Sequence, residues 1–94
     1  MMTRPTNHPG PEILALKALT FLGNSPDGLD RFVQAAGMQP AELALRVEEQ
    51  GVQVAILDFL LTDEALLLAF CQEESLQPKH VHRAKYDLEG ARED

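Results

Sequence analysis

An all-α fold, a compact bundle of about six short helices, is what this sequence predicts, on three observations. Residues 19–43 and 57–81 align without a gap at a constant offset of 38, with eight identities in 25 positions. Leu19, Phe21, Leu22, Leu29, Phe32, Gln34, Gln39 and Pro40 recur as Leu57, Phe59, Leu60, Leu67, Phe70, Gln72, Gln77 and Pro78. Between proline and glycine breaks, apolar residues recur at helical spacing. No useful length alternates at period two, and β-branched residues are few. The repeat reads as two similar three-helix units, 11–50 and 51–89, which stack to bury faces neither could bury alone. Together they form one domain with tails at 1–10, expected to be flexible, and 90–94.

The elements follow in order. Pro11 suits a first helical turn and Glu12 complements its positive dipole end, so a helix runs to Leu22. Ile13, Leu14, Leu16, Leu19, Phe21 and Leu22 surround nearly all of it, which predicts a central helix. Ser25, Pro26 and Asp27 read as an N-cap signature for a second helix ending near Ala36, with Gly37 supplying a left-handed stop. Its inner face is Leu29, Phe32, Val33 and Ala36. A third helix spans Pro40 to Gln50 and Gly51 stops it; Leu43, Ala44 and Val47 face inward and Leu45 lies on another side. The fourth, Val52 to Leu61, is the counterpart of the first and equally apolar, so the two are expected to pack together near a pseudo-twofold axis. Thr62 caps a fifth helix, Asp63 and Glu64 fill its first turn, and a sixth runs from Pro78 to just before Gly90.

Ninety-four residues suffice for one core but not for a second domain with a deep cleft between the two, which disfavours pocket-based catalysis. Net charge is −7, from 15 acids against 8 bases, and repels nucleic acid at long range, so a nucleic-acid role needs a local exception. Cys71 is the single cysteine, so no intramolecular disulfide is available; a packed, inert thiol in a reducing cytoplasm is the expectation. Met1 to Gly10 has no apolar core of the kind a secretory signal needs. The apolar stretch Val54 to Cys71 is interrupted by Asp58, Asp63 and Glu64, and one acid at mid-membrane costs about 2.5 to 3.5 kcal/mol, so no membrane span is expected. The chain reads as soluble and cytoplasmic.

The run Leu57-Asp58-Phe59-Leu60-Leu61-Thr62-Asp63-Glu64 resembles the signature of a family of short bacterial all-α proteins of unknown function. Leu16 to Phe21 and Leu29 to Phe32 resemble the earlier half of that pattern, so the resemblance covers about Pro11 to Tyr86. It implies a small, bacterial, cytoplasmic helical protein and carries no reaction, cofactor or catalytic residue.

Asp58, Asp63 and Glu64 are the charges of the most apolar region, where a raised pKa would suit acid or base chemistry. A structural role is the plainer account, since acids in a first helical turn gain about 0.3 to 1 kcal/mol each from the dipole. Asp58, at the position of Thr20, marks a solvent-facing stripe where Arg31 or Arg46 could pair with it. His80 and His82 sit at i and i+2 and point to opposite sides of a helix, so with Cys71 they make no metal site. No cofactor motif and no nucleophile motif is present. Lys79, His82, Arg83 and Tyr86 fall at i, i+3, i+4 and i+7 on one face of helix six, opposite Val81, Ala84 and Leu88. That face could meet an acidic protein, an anion or a nucleic-acid backbone, or could simply be solvated. The leading expectation is a non-enzymatic interaction module, with a protein partner or self-association through faces such as Leu45. The alternatives are anion or nucleic-acid binding through helix six, and an enzyme using Asp58 or Glu64.

Overall fold

Residues 10–90 are described by a computed structural model. Among them are six α-helices and no strand: α1 Pro11–Gly23, α2 Gly28–Ala36, α3 Pro40–Arg46, α4 Gln50–Leu61, α5 Glu64–Glu74 and α6 Pro78–Gly90. Apart from Gly10 and Gly90, the two expected tails lie outside the described residues.

Helix α1 starts where Pro11, lacking an N–H, takes the first helical position and Leu14 N–H reaches the Gly10 carbonyl at 2.9 Å. It buries one stripe, Leu14, Ala15, Ala18 and Leu22, while Ile13 is 51% exposed. The expectation that only a Lys17 and Thr20 stripe of α1 faces water is corrected at Ile13 and Leu16, which are exposed; its buried stripe meets α4, α6 and α2, and Phe21 meets Phe70 of α5. As expected, α1 and α4 pack together, but α6 joins them, lying against both rather than flanking them. Val81, Ala84 and Leu88 form its inner face, as its spacing predicts. Phe32, Phe70, Leu22, Ile56, Leu57, Leu60 and Val81 are the large, fully buried side chains at the centre.

Two boundaries differ from the expectations, each for a traceable reason. Ser25 does not cap α2; its hydroxyl donates back to the Phe21 carbonyl at 2.9 Å. Asp27 holds the cap position instead, with a left-handed φ of 60° and no side-chain bond. The turn is so tight that Gly28 packs against the end of α1, and Ala36 at the other end of α2 is exposed rather than buried. Helix α3 stops at Arg46 rather than Gln50, and Gly51 lies in the first turn of α4 instead of ending α3. The buried Gln53 amide donates to the Val47 carbonyl at 3.2 Å, which gives that carbonyl a partner outside any helix ladder. Gln50 donates to the Leu88 carbonyl and so ties the start of α4 to the end of α6. The long apolar stretch is broken as well: Thr62 ends α4, and Asp63, not Thr62, caps α5 by accepting the Leu66 N–H at 3.1 Å.

Positions 38 apart hold comparable places in several respects. Phe21 meets Phe70 edge-on with centroids 5.4 Å apart, and Phe59 meets Phe32 in the same way at 5.6 Å. Gly37 and Ser75 both take the left-handed conformation at a helix end, with Met38 N–H to Val33 O at 2.9 Å and Leu76 N–H to Cys71 O at 2.8 Å. Gln39 N–H is accepted by Glu42 Oε1 and Gln77 N–H by His80 Nδ1. The correspondence lapses at α3 and α6. The former has 7 residues and packs on α2, whereas the latter has 13 and crosses α1 and α4.

Ser75 offers a direct check on this helix end. A left-handed residue with a Cβ is strained by about 1 to 2 kcal/mol, which glycine avoids. Ser75→Gly is expected to raise stability by about 0.5 to 1 kcal/mol once the greater freedom of the unfolded chain is counted, read as a higher urea midpoint at constant slope.

Candidate functional site

Of three clefts among the described residues, the most voluminous, about 580 Å³, lies between the first turns of α1 and the length of α6. Pro11 and Leu14 line it from α1, and Leu76, Lys79, His80, Arg83, Ala84 and Asp87 from the other side. Its size falls in the ordinary range of ligand pockets. The floor is aliphatic, with Leu14 and Ala84 buried beneath it. Lys79 and Arg83, one helical turn apart on α6, are exposed at its edge.

The charges there are placed against local preference. Helices α1, α2, α3 and α5 carry Glu12, Asp30, Glu42 and Glu64 in their first turns, where the helix dipole favours acids. The first turn of α6 has no acid, and Lys79 and His80 stand there instead. His80 takes over the role of a capping acid, because Nδ1 accepts the Gln77 N–H at 2.9 Å. Arg83 Nε donates to Asp87 Oδ1 at 3.2 Å, and Lys85 on the neighbouring flank bonds Glu89 at 3.1 Å.

The interaction candidates singled out in the sequence separate into three groups. Lys79 and Arg83 enter the cleft; His82 and Tyr86, the latter 70% exposed, stay on the outer face of α6 and do not line it. Leu45 is 87% exposed on α3 and lines neither this cleft nor two smaller ones. Pro11, Leu14, Leu76, His80, Ala84 and Asp87 were missed as site residues. Their place depends on which helix α6 crosses, and only the His80 spacing from Gln77 was visible in advance.

The three acids have different surroundings. Asp63 caps α5 and also accepts from Arg31 of α2 at 2.5 Å, while the Arg31 guanidinium lies 5.9 Å from the Phe59 ring centroid. The Leu66 N–H first, and Arg31 second, hold the Asp63 carboxyl below the ordinary aspartate value. That is the opposite of the raised value a general acid needs. Arg31 thus pairs with Asp63 rather than Asp58, and Arg46 pairs with Glu42 and Glu49. Asp58 has Lys85 of α6 at 3.9 Å, and it edges a shallow groove of about 250 Å³ with Phe32, Ala35, Ala36, Ala55, Phe59 and Thr62. No second titratable side chain lines that groove, and Glu64 lines none of the three clefts. Cys71 is buried and desolvation pushes its thiol up, away from the thiolate a nucleophile needs. Among the described residues no group of three or more His, Cys, Asp or Glu is placed to hold a metal ion. Nor is any helix among them long and apolar enough to cross a membrane.

Asp63 gives an acid-stability prediction. Its folded pKa is depressed, so its contribution is present at neutral pH and is lost as pH falls below the ordinary value of 3.8 toward the folded one. Asp63→Ala is expected to cost about 1 kcal/mol at pH 7 through loss of the cap. The gap between variant and wild type should narrow between pH 5 and pH 2 in urea titrations, a window of about one to two units around the ordinary value.

The described residues form a small all-α bundle whose α1–α6 cleft sets Lys79 and Arg83 at the edge of an aliphatic floor. A family model described as protein of unknown function (DUF3572) matches residues 9–91, and the chain belongs to that family. No curated protein and no solved structure matches it.

Proposed function

We propose that this protein is a non-enzymatic binding module of a bacterial cytoplasm that engages a protein partner through the cleft between α1 and α6. The observation that carries this reading is the pair Lys79 and Arg83 on the cleft edge of a protein with net charge −7. Lys79 stands in a first turn, where a cation works against the helix dipole, so stability of the helix alone does not account for it. The two-unit architecture, 11–50 and 51–89, belongs to the same reading. Its support is the interchange of the Phe21–Phe70 and Phe59–Phe32 pairs under the 38-residue offset. In this view the longer α6 is the copy specialised for binding.

A second reading rests on Leu45. A leucine 87% exposed on a helix held mainly by α2 suits self-association. One set of variants separates the two. Lys79→Glu with Arg83→Glu is expected to abolish the rise in melting temperature that acidic peptides give the wild type, while leaving the unliganded melt within about 0.5 kcal/mol of it. Leu45→Glu should leave that rise intact. If the double variant responds to the peptides as the wild type does, the cleft reading fails. If the wild type dimerises in sedimentation and Leu45→Glu does not, the second reading replaces it.

A further inference from the structure

Resting on the cleft reading above, we infer that the group taken by the α1–α6 cleft is the free C-terminal carboxylate of a partner polypeptide whose last residue is aliphatic. Charge decides the head group. Lys79 and Arg83 contribute two positive charges and Asp87, bonded to Arg83, removes one. The trough is thus matched to a single negative charge. A polyphosphate or a nucleic-acid backbone brings several, and meets the repulsion of a chain with net charge −7. A carboxylate meets the Lys79 ammonium and the Arg83 N–H groups other than Nε, both of which form short charge-assisted bonds to oxygen.

The floor decides what is attached to that head. Pro11, Leu14, Leu76 and Ala84 give the cleft its aliphatic floor, and no Phe, Tyr or Trp is among the residues that line it. Four small to medium aliphatic groups cover one branched side chain rather than a long acyl chain, which requires enclosure over most of its surface. A C-terminal leucine, isoleucine or valine places carboxylate and side chain on the same Cα, which fits a trough whose cations and aliphatic floor adjoin. The remaining volume of the roughly 580 Å³ accommodates the preceding residues.

The test is a calorimetric titration of the full chain with four probes: a hexapeptide ending in free leucine, the same peptide amidated, octanoate, and a single-stranded oligonucleotide. The free acid is expected to bind at least about tenfold more tightly than the amide, and Leu→Ala at the peptide terminus to weaken it by a similar factor. Lys79→Glu with Arg83→Glu should abolish binding, and His82→Ala should change it less than threefold. Equal binding of acid and amide, tighter binding of octanoate or the oligonucleotide, or no binding of the free acid overturns the carboxylate assignment. If octanoate or the oligonucleotide binds the wild type and not the double variant, the cleft survives as a binding site and only the ligand class is wrong. A probe that binds both proteins alike removes the cleft reading itself.

Discussion

Phe70→Ala is expected to destabilise the protein by about 3 to 5 kcal/mol, a large share of the roughly 5 to 15 kcal/mol that holds a small domain folded. Phe70 is fully buried, packs edge-on against Phe21 with centroids 5.4 Å apart, and so joins α5 to α1. Truncation removes both the transferred apolar surface and the edge-to-face contact, and leaves a cavity that surrounding helices fill only in part. Phe32→Ala should cost about as much, because Phe32 is equally enclosed and makes the same contact with Phe59. Leu68→Ala on the same helix as Phe70 is the control: Leu68 is exposed, and a change within about 0.5 kcal/mol is expected. Urea denaturation reads all three. A Phe70→Ala protein that loses less than about 1 kcal/mol would mean that α5 does not close the core as described.

Gly28→Ala is the second large effect, expected at about 1 to 3 kcal/mol of destabilisation. A Cβ at that position would lie 2.8 Å from the Leu22 carbonyl oxygen and 3.0 Å from Ser25 Cβ. The first of these is backbone at the end of α1, which cannot swing away as a flexible side chain would, so the α1–α2 turn has to open. Gly51→Ala gives the contrast: nothing lies within 4 Å of its added methyl group, and it sits in the first turn of α4. It should gain up to about 1 kcal/mol from helix propensity. Opposite signs for two glycine-to-alanine changes, measured as melting temperatures, would locate the tight turn at Gly28.

Much of the fold was legible because prolines and apolar spacing mark helices locally. Pro11, Pro40 and Pro78 each open one, and Val81, Ala84 and Leu88 turn inward as their spacing indicates. What was not legible depends on tertiary partners. The Ser25 hydroxyl turns back to Phe21, the Gln53 amide reaches across to Val47, and Asp63 takes the cap from Thr62 while holding Arg31. None of these bonds follows from the local pattern, since Ser, Thr and Asp are all good caps and the winner is set by what else each can reach. The site divides similarly. Lys79 and Arg83 stand one turn apart in the sequence, but their pairing with Pro11 and Leu14 required α6 to cross α1. Ser75 was hidden for another reason: its left-handed conformation is one that glycine normally advertises, as Gly37 does 38 residues earlier.

The central claim is that partner binding happens in the α1–α6 cleft, and an amide-resolved NMR titration of the full chain with the leucine-terminated acid peptide tests it most directly. The account predicts that shift changes concentrate at residues 12–15 of α1 and 76–87 of α6, with α3 and the α2–α4 groove unmoved. Changes centred instead on Leu45, or on Ala35, Ala36 and Asp58, would contradict it and move the binding surface to another face of the bundle.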